Sequence, residues 1–243
     1  TIAQLVRENG LRYRDIAIIT GDLSSYNNYV RKIFPQYHIP AFIDETRRIL
    51  LNPCLEFVRG ALEMCERDFA CIPVFRFLRT QMAGITREQI DRLENYVLAT
   101  GIRGRRRWEQ GWGYRVGGIR EGELEARNQD RRTVMELLGD FPAQMAVRNR
   151  TLREYANALV DLMERCDLEE KLRNRAEALQ KAGNQEEAEE YEQVYGILIR
   201  LLDEMDELLG EEPMETREFS EILDAGLSEA RIGIVPPGIE QVP

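Results

Sequence analysis

Long apolar runs are missing. None approaches the ~18 residues needed to cross a bilayer, which excludes a membrane-spanning helix and leaves no basis for a membrane role. Histidine is almost absent: His38 stands alone, leaving no basis for a His-rich zinc site and little for Ser-His-Asp or Cys-His chemistry. The four cysteines (Cys54, Cys65, Cys71, Cys166) are too few and too apolar in setting for a disulfide framework and imply a reduced, cytoplasmic compartment. A phosphate loop of the form G-x-x-x-x-G-K-[ST] occurs nowhere. The opening residues, TIAQLVRENG, hold neither an initiator Met nor a signal peptide, so the ends read as cut. What is present is globular: 243 residues, 43% hydrophobic and 31% charged, too rich in core formers for a disordered or collagen-like chain.

Lysine is also scarce. Only Lys32, Lys171 and Lys181 join the arginines, a preference that favours planar, bidentate or stacked contacts. The net charge of −10 conceals an asymmetry. Residues 1–150 carry 24 basic against 19 acidic side chains, whereas residues 151–229 carry 8 against 23. The first stretch could meet phosphate; the second would repel it.

Strand signals lie only near the two ends. Asp15–Thr20 (DIAIIT) is a β-branched run stopped by Gly21; Ile39–Asp44 (IPAFID) is a second; Arg231–Val235 (RIGIV), stopped by Pro236 and Pro237, is a third. A helix capped by Asp22, with Leu23, Tyr26, Val30, Ile33 and Phe34 on one face, joins the first two. The resulting βαβ unit predicts a small parallel sheet, incomplete by itself. Between the second and third strands nearly everything reads as helix. Asn52-Pro53 caps one helix. Thr86-x-x-Gln89 and Thr151-x-x-Glu154 are capping boxes for two more. Asn184-x-x-Glu187 opens the longest, which runs to Gly210 over roughly 37 Å at 1.5 Å per residue. A last helix carries Phe219, Ile222, Leu223 and Leu227. Gly101–Gly122, rich in Gly and Arg, reads as loop or hairpin. The expected fold is therefore α/β at the termini, residues 1–50 and 229–243, with a large, mostly α-helical domain inserted over residues 51–228.

The candidate chemistry is electrostatic. Residues 101–132 hold nine Arg against five acids. Arg103, Arg105, Arg106, Arg107 and Trp108, extended by Trp112, Tyr114, Arg115 and Arg120, have the composition of a nucleic-acid contact: guanidinium on phosphate and indole on an unpaired base. The competing reading pairs these arginines with the acidic helical half or with another subunit. After the first strand, hydroxyls of Thr20, Ser24 and Ser25 at a helix start could touch a DNA backbone; plain capping by Asp22 is the alternative. His38 reads as structural. Glu186, Glu187, Glu189, Glu190 and Glu192 read as a solvated helix start complementing the helix dipole rather than a metal site. The string AEALQKAGNQEEAEEYEQVY has the look of a tetratricopeptide helix pair but occurs once, without a repeat period.

Several strings carry a family resemblance: YRDIAIITGDLSSY, IPAFIDETRRILLNP, VFRFLRTQMAGI, IDRLENYVLATGIRGRRRW and VPPGIEQV, covering most of residues 11–112 and the last dozen. They resemble the second motor domain (2A) and inserted helical 2B domain of UvrD/Rep-type superfamily 1 helicases. More closely, they are similar to the AddB family, B subunits of bacterial AddAB helicase–deoxyribonucleases (RexB in related bacteria). The resemblance implies a 2A-like lobe at the termini and a 2B-like insertion. It also implies a place in double-strand DNA end processing and recombinational repair, with DNA and an AddA-like helicase–nuclease subunit as partners. ATP with Mg²⁺, the nuclease site and the iron–sulfur cluster of the family are implied to lie outside this segment. VPPGIEQV stands where an active helicase would carry a Thr-His-x-x-Lys-Gly-Leu-Glu type motif, and it has neither the His nor the Lys. The leading expectation is a non-catalytic scaffold and contact segment of an AddB-like subunit. The alternative is a helical protein–protein interaction module with no direct DNA role; a third possibility, an autonomous nuclease, predicts Mg²⁺-dependent cleavage.

Overall fold

The computed structural model describes residues 2–41, 43, 47–48, 52–115, 117–229 and 231–232. In chain order the elements among them are α1 (Ile2–Asn9), α2 (Leu23–Ile33), β1 (Arg47–Arg48), α3 (Pro53–Glu66), α4 (Cys71–Arg79), α5 (Arg87–Thr100), α6 (Arg105–Glu109), α7 (Glu121–Leu138), α8 (Phe141–Met145), β2 (Arg150–Thr151), α9 (Leu152–Arg165), α10 (Leu168–Lys181), α11 (Gln185–Leu209), β3 (Pro213–Met214), α12 (Thr216–Glu229) and β4 (Arg231–Ile232). They fall into two compact units, residues 1–47 with 231–243, and residues 48–230. β1 is hydrogen-bonded to β4, so the chain leaves for the helical unit and returns from it on adjacent strands.

In the smaller unit, Asp22 caps α2 as expected: its carboxylate accepts from the Ser25 amide at 3.2 Å and from the Ser25 hydroxyl at 2.5 Å. His38 ends the 3₁₀ turn Phe34–Tyr37 in the left-handed region, at φ 54°. The expected strand at residues 15–20 is not formed. Asp15 closes a 3₁₀ turn (Tyr13–Asp15), and residues 16–20 lie outside any ladder. Ile19 is 96% exposed and Ile18 51%. A β-branched run becomes a strand only when a neighbour supplies cross-strand contacts and hydrogen bonds, and the described residues supply none here. Of Ile39–Asp44, Ala41 makes an isolated bridge, and residues 42 and 44 lie outside the described residues. Of Arg231–Val235, only 231–232 are described. The expected parallel sheet is not seen among the described residues, which form two two-stranded ladders, β1·β4 and β2·β3, the latter antiparallel with Arg150 facing Met214 and Thr151 facing Pro213.

The larger unit, residues 48–230, is mostly helical, as the apolar spacing predicts. Asn52 caps α3 through its side-chain oxygen, 2.9 Å from the Cys54 amide, while its amide nitrogen donates to Glu190 at 2.8 Å and ties α3 to α11. Both capping boxes form. Thr86 and Gln89 exchange bonds of 3.1 and 3.3 Å, and Thr151 and Glu154 bonds of 2.9 and 3.3 Å. α11 begins after Asn184 and runs 25 residues, but Asn184 makes no side-chain cap. The core is continuous. α9, with Tyr155, Leu159 and Leu162 buried, packs against α8, α10, α11 and α12; α3 lies against α4, α8 and α12; and α5 lies against α4 and α7. At the α3–α4 crossing, a Cβ on Gly60 would come within 2.9 Å of the Phe77 Cα, so the two backbones approach as closely as they do only because Gly60 has none.

Candidate nucleic-acid interface

The Arg-rich segment is not a loose loop. Residues 105–109 form the short helix α6, and both tryptophans are core residues: Trp108 is fully buried and Trp112 nearly so. Trp108 packs edge-on to Trp112 at 5.2 Å and beside Phe69 and Phe75 at 6.2 and 6.3 Å, while Trp112 stacks on Tyr96 at 5.3 Å. The expected base-stacking role of Trp108 is therefore corrected. Large apolar area, flanked by glycines that let the backbone turn inward, favours burial over display.

Three devices hold the segment in place. Gly104, at φ 92° and ψ 140°, enters a region that other residues avoid, and it precedes α6. Asp68 and Phe69, both left-handed (φ 44° and 53°), turn the chain tightly between α3 and α4; this places the Asp68 carboxylate 2.9 Å from the Arg105 amide and Phe69 under Trp108. From α7, buried Asn128 pairs with the backbone of Trp112 as a strand neighbour would, accepting from its N–H at 2.8 Å and donating to its C=O at 2.9 Å. Arg131, also buried, donates to the Trp108 carbonyl and lies 6.0 Å from the Trp112 ring; desolvation, then the neighbouring Arg132, lowers its pKa. Buried Asp130 is paired bidentately with Arg92 at 2.9–3.0 Å, joining α7 to α5.

On this support the arginines divide. Arg105 donates to the Pro142 carbonyl at 3.1 Å and pairs with Glu109 at 2.9 Å. Arg107 donates to the Tyr114 hydroxyl at 2.7 Å and lies over that ring. Arg115 pairs with Glu121 at 2.5 Å. These partners all lie between residues 68 and 142, so among the described residues the segment pairs within itself and its neighbours rather than with the acidic stretch 151–229. Arg103 and Arg106 are exposed and carry no side-chain hydrogen bond or ion pair among the described residues. Beside Arg103, the apolar surface of Ile72 (80% exposed) and Leu98 lines a shallow cleft of about 320 Å³.

Thr20 and Ser24 belong to the smaller unit. The Thr20 hydroxyl accepts from the Asp22 amide at 3.2 Å, so it is committed to the turn that starts α2; Ser24 lies in the first turn of that helix. The acidic start of α11 is more engaged than a solvated face: Glu190 holds Asn52, and Glu192 accepts from Gln180 at 2.6 Å. Among the described residues no three His, Cys, Asp or Glu side chains are grouped to hold a metal. The four cysteines are free, Cys54 and Cys166 buried and Cys65 and Cys71 half-buried. Burial pushes Cys54 and Cys65 up to about 12 and Cys166 to about 11, so these thiols stay protonated near neutral pH.

Comparison with known proteins agrees with the resemblance carried by the sequence. No family model matches the chain. Over 99% of its length it is 36% identical to the B subunit of the ATP-dependent helicase/deoxyribonuclease of Lachnoclostridium phytofermentans, 38% to that of Pelotomaculum thermopropionicum and 34% to that of Clostridium novyi. It covers 21%, 22% and 21% of those proteins, so it spans about a fifth of the curated relatives it matches. The likeness is shown along the whole chain, including the 113–229 stretch that carries no distinctive string.

Proposed function

We propose, from this likeness along its whole length to the B subunits of ATP-dependent helicase/deoxyribonucleases, that the chain is a non-catalytic scaffold segment of such a protein. In this reading the helical unit is the 2B-like insertion and the smaller unit part of a 2A-like lobe. The segment presents arginine to DNA during the processing of broken ends, alongside an AddA-like partner. The observation that carries the DNA contact is the pair Arg103 and Arg106, exposed beside a rigid aromatic core. An arginine carried on a fixed backbone loses less freedom on meeting a phosphate than one on a mobile loop. Arg107 and Arg115, already engaged, shape the surface more than they bind.

Fluorescence anisotropy of a labelled 20-nucleotide oligothymidylate with the whole 243-residue chain tests this reading. Arg103→Glu with Arg106→Glu is expected to weaken binding at least tenfold with unchanged circular dichroism, and to flatten the dependence of log affinity on log salt by about 0.7 per lost phosphate contact. Binding unchanged by both reversals overturns the Arg103–Arg106 contact, and no binding of the oligonucleotide at all leaves the interaction-module reading. Incubation with Mg²⁺ and linear DNA is expected to give no cleavage.

A further inference from the structure

A second cationic surface lies within the helical unit, on the cleft between the end of α4 and α10. The cleft measures about 620 Å³, within the range of small-ligand sites. Arg76, Arg79, Lys171 and Arg175 line it against one carboxylate, Glu56, and Tyr191 forms part of its wall. The two arginines of α4 are already compensated: Arg76 bridges Glu56 at 2.8 Å and Glu63 at 3.0 Å, and Arg79 pairs with Glu94. The two cations that α10 gives to the cleft have no carboxylate partner among the described residues. The Lys171 ammonium donates to the carbonyls of Met82 (3.0 Å) and Cys166 (2.5 Å), which fix it without neutralising it and occupy two of its three protons. Arg175 faces the Tyr191 phenol and has no carboxylate at ion-pair distance among the described residues. Lys171 and Arg175 are four residues apart, so they share one face of α10 and repel each other unless an anion lies between them. Glu187 and Glu190 of α11 act on the Tyr191 phenol but do not line the cleft, and Glu190 is engaged by Asn52.

We propose that this cleft binds a phosphate-bearing ligand of nucleotide size, with Lys171 and Arg175 as its anchoring cations and Arg76 and Arg79 supplying a second rank of donors. Phosphoryl oxygens are the acceptor set that suits a held ammonium beside a planar guanidinium fork. The phosphate can come from a nucleic-acid strand or from a free polyphosphate. The site stands apart from Arg103 and Arg106 and does not rest on the reading given to them.

Two probes, each with the whole chain, separate these sources: inorganic pyrophosphate by titration calorimetry, and the labelled oligothymidylate by anisotropy. Arg175→Gln is expected to weaken pyrophosphate binding at least fivefold, and Arg175→Lys, which keeps the charge but loses the fork, to weaken it less than Arg175→Gln does. Lys171→Gln serves as the second variant, with thermal melting to verify folding. If the oligonucleotide shows the same Arg175 dependence, the ligand is a strand; if only pyrophosphate does, it is a free polyphosphate. Loss of oligonucleotide binding in Arg175→Gln with full binding in Arg106→Glu removes the Arg103–Arg106 reading and supports this one. Failure of both probes to bind, or binding indifferent to Arg175→Gln and Lys171→Gln, overturns it.

Discussion

Single residues decide what the Arg-rich segment can do. Trp108 is buried against Phe69, Phe75 and Trp112, so Trp108→Ala is expected to cost about 3–5 kcal/mol, as for other large-to-small aromatic deletions. An exposed stacking platform would cost almost nothing; urea denaturation distinguishes the two. Asn128 makes both of its backbone bonds to Trp112 in a buried setting. Asn128→Leu leaves an amide and a carbonyl unpaired and is expected to lose about 2–4 kcal/mol, at ~1–3 kcal/mol per orphaned group. The thiols give a chemical readout at the same scale. Burial raises all four thiols, Cys54 and Cys65 to about 12 and Cys166 to about 11, and Cys71 alone of them lines the open cleft beside Arg103. At pH 8 a disulfide reagent is expected to label one thiol rapidly, that of Cys71, and three only on unfolding. Two or more fast thiols, counted by absorbance, would contradict the packing described for α3 and α9.

Among the elements, α3 and α4 depend on one missing methyl group. Gly60→Ala would push against the backbone of Phe77, which cannot rotate out of the way as a side chain can, and is expected to destabilise by about 1–3 kcal/mol despite alanine's better helix propensity. A melting temperature at or above wild type would show that the helices can separate without penalty. Helices whose starting signals are local were legible from the sequence: Asn52-Pro53 and both Thr boxes mark helix starts because the bonds they form span only two or three residues. The short strands were not legible. Residues 16–20 have the composition of a strand, but pairing is non-local, and a run of β-branched residues carries no information about whether a neighbour stands beside it. Gly101–Gly122 misled for a related reason. Its glycines do break the chain, but what the break achieves is to turn two tryptophans inward, and that depends on Asp68 and Asn128, 40 and 20 residues from Trp108. Val194 and Ile197 joined the buried side of α11 unannounced, because a helix packed against α9, α10 and α12 buries more than one stripe.

At the scale of the whole molecule, the basic and acidic stretches of sequence are not two separate bodies. Residues 48–150 and 151–229 fold into one helical unit, and Arg59 of α3 meets Asp224 of α12 at 2.5 Å. Alkaline stability follows from the buried thiols. Their folded pKa values lie above the ordinary value of 9.0, so the stability they contribute is complete below pH 9 and is lost as pH rises through 11–12. The urea midpoint is expected to fall from pH 9 upward, and Cys54→Ala, though less stable at pH 7, to show a shallower fall; equal slopes would remove this account.

The pairing of Trp108 with Trp112 has an optical consequence. They are the chain's two indoles, and they sit edge to face at one spot, Trp108 on the same short helix α6 as Arg106. Light absorbed at 295 nm therefore reports on this spot and on nothing in residues 1–47. A blue-shifted emission and a coupled near-ultraviolet dichroism band would serve as a built-in gauge of whether the ground beneath Arg106 keeps its shape when a ligand arrives.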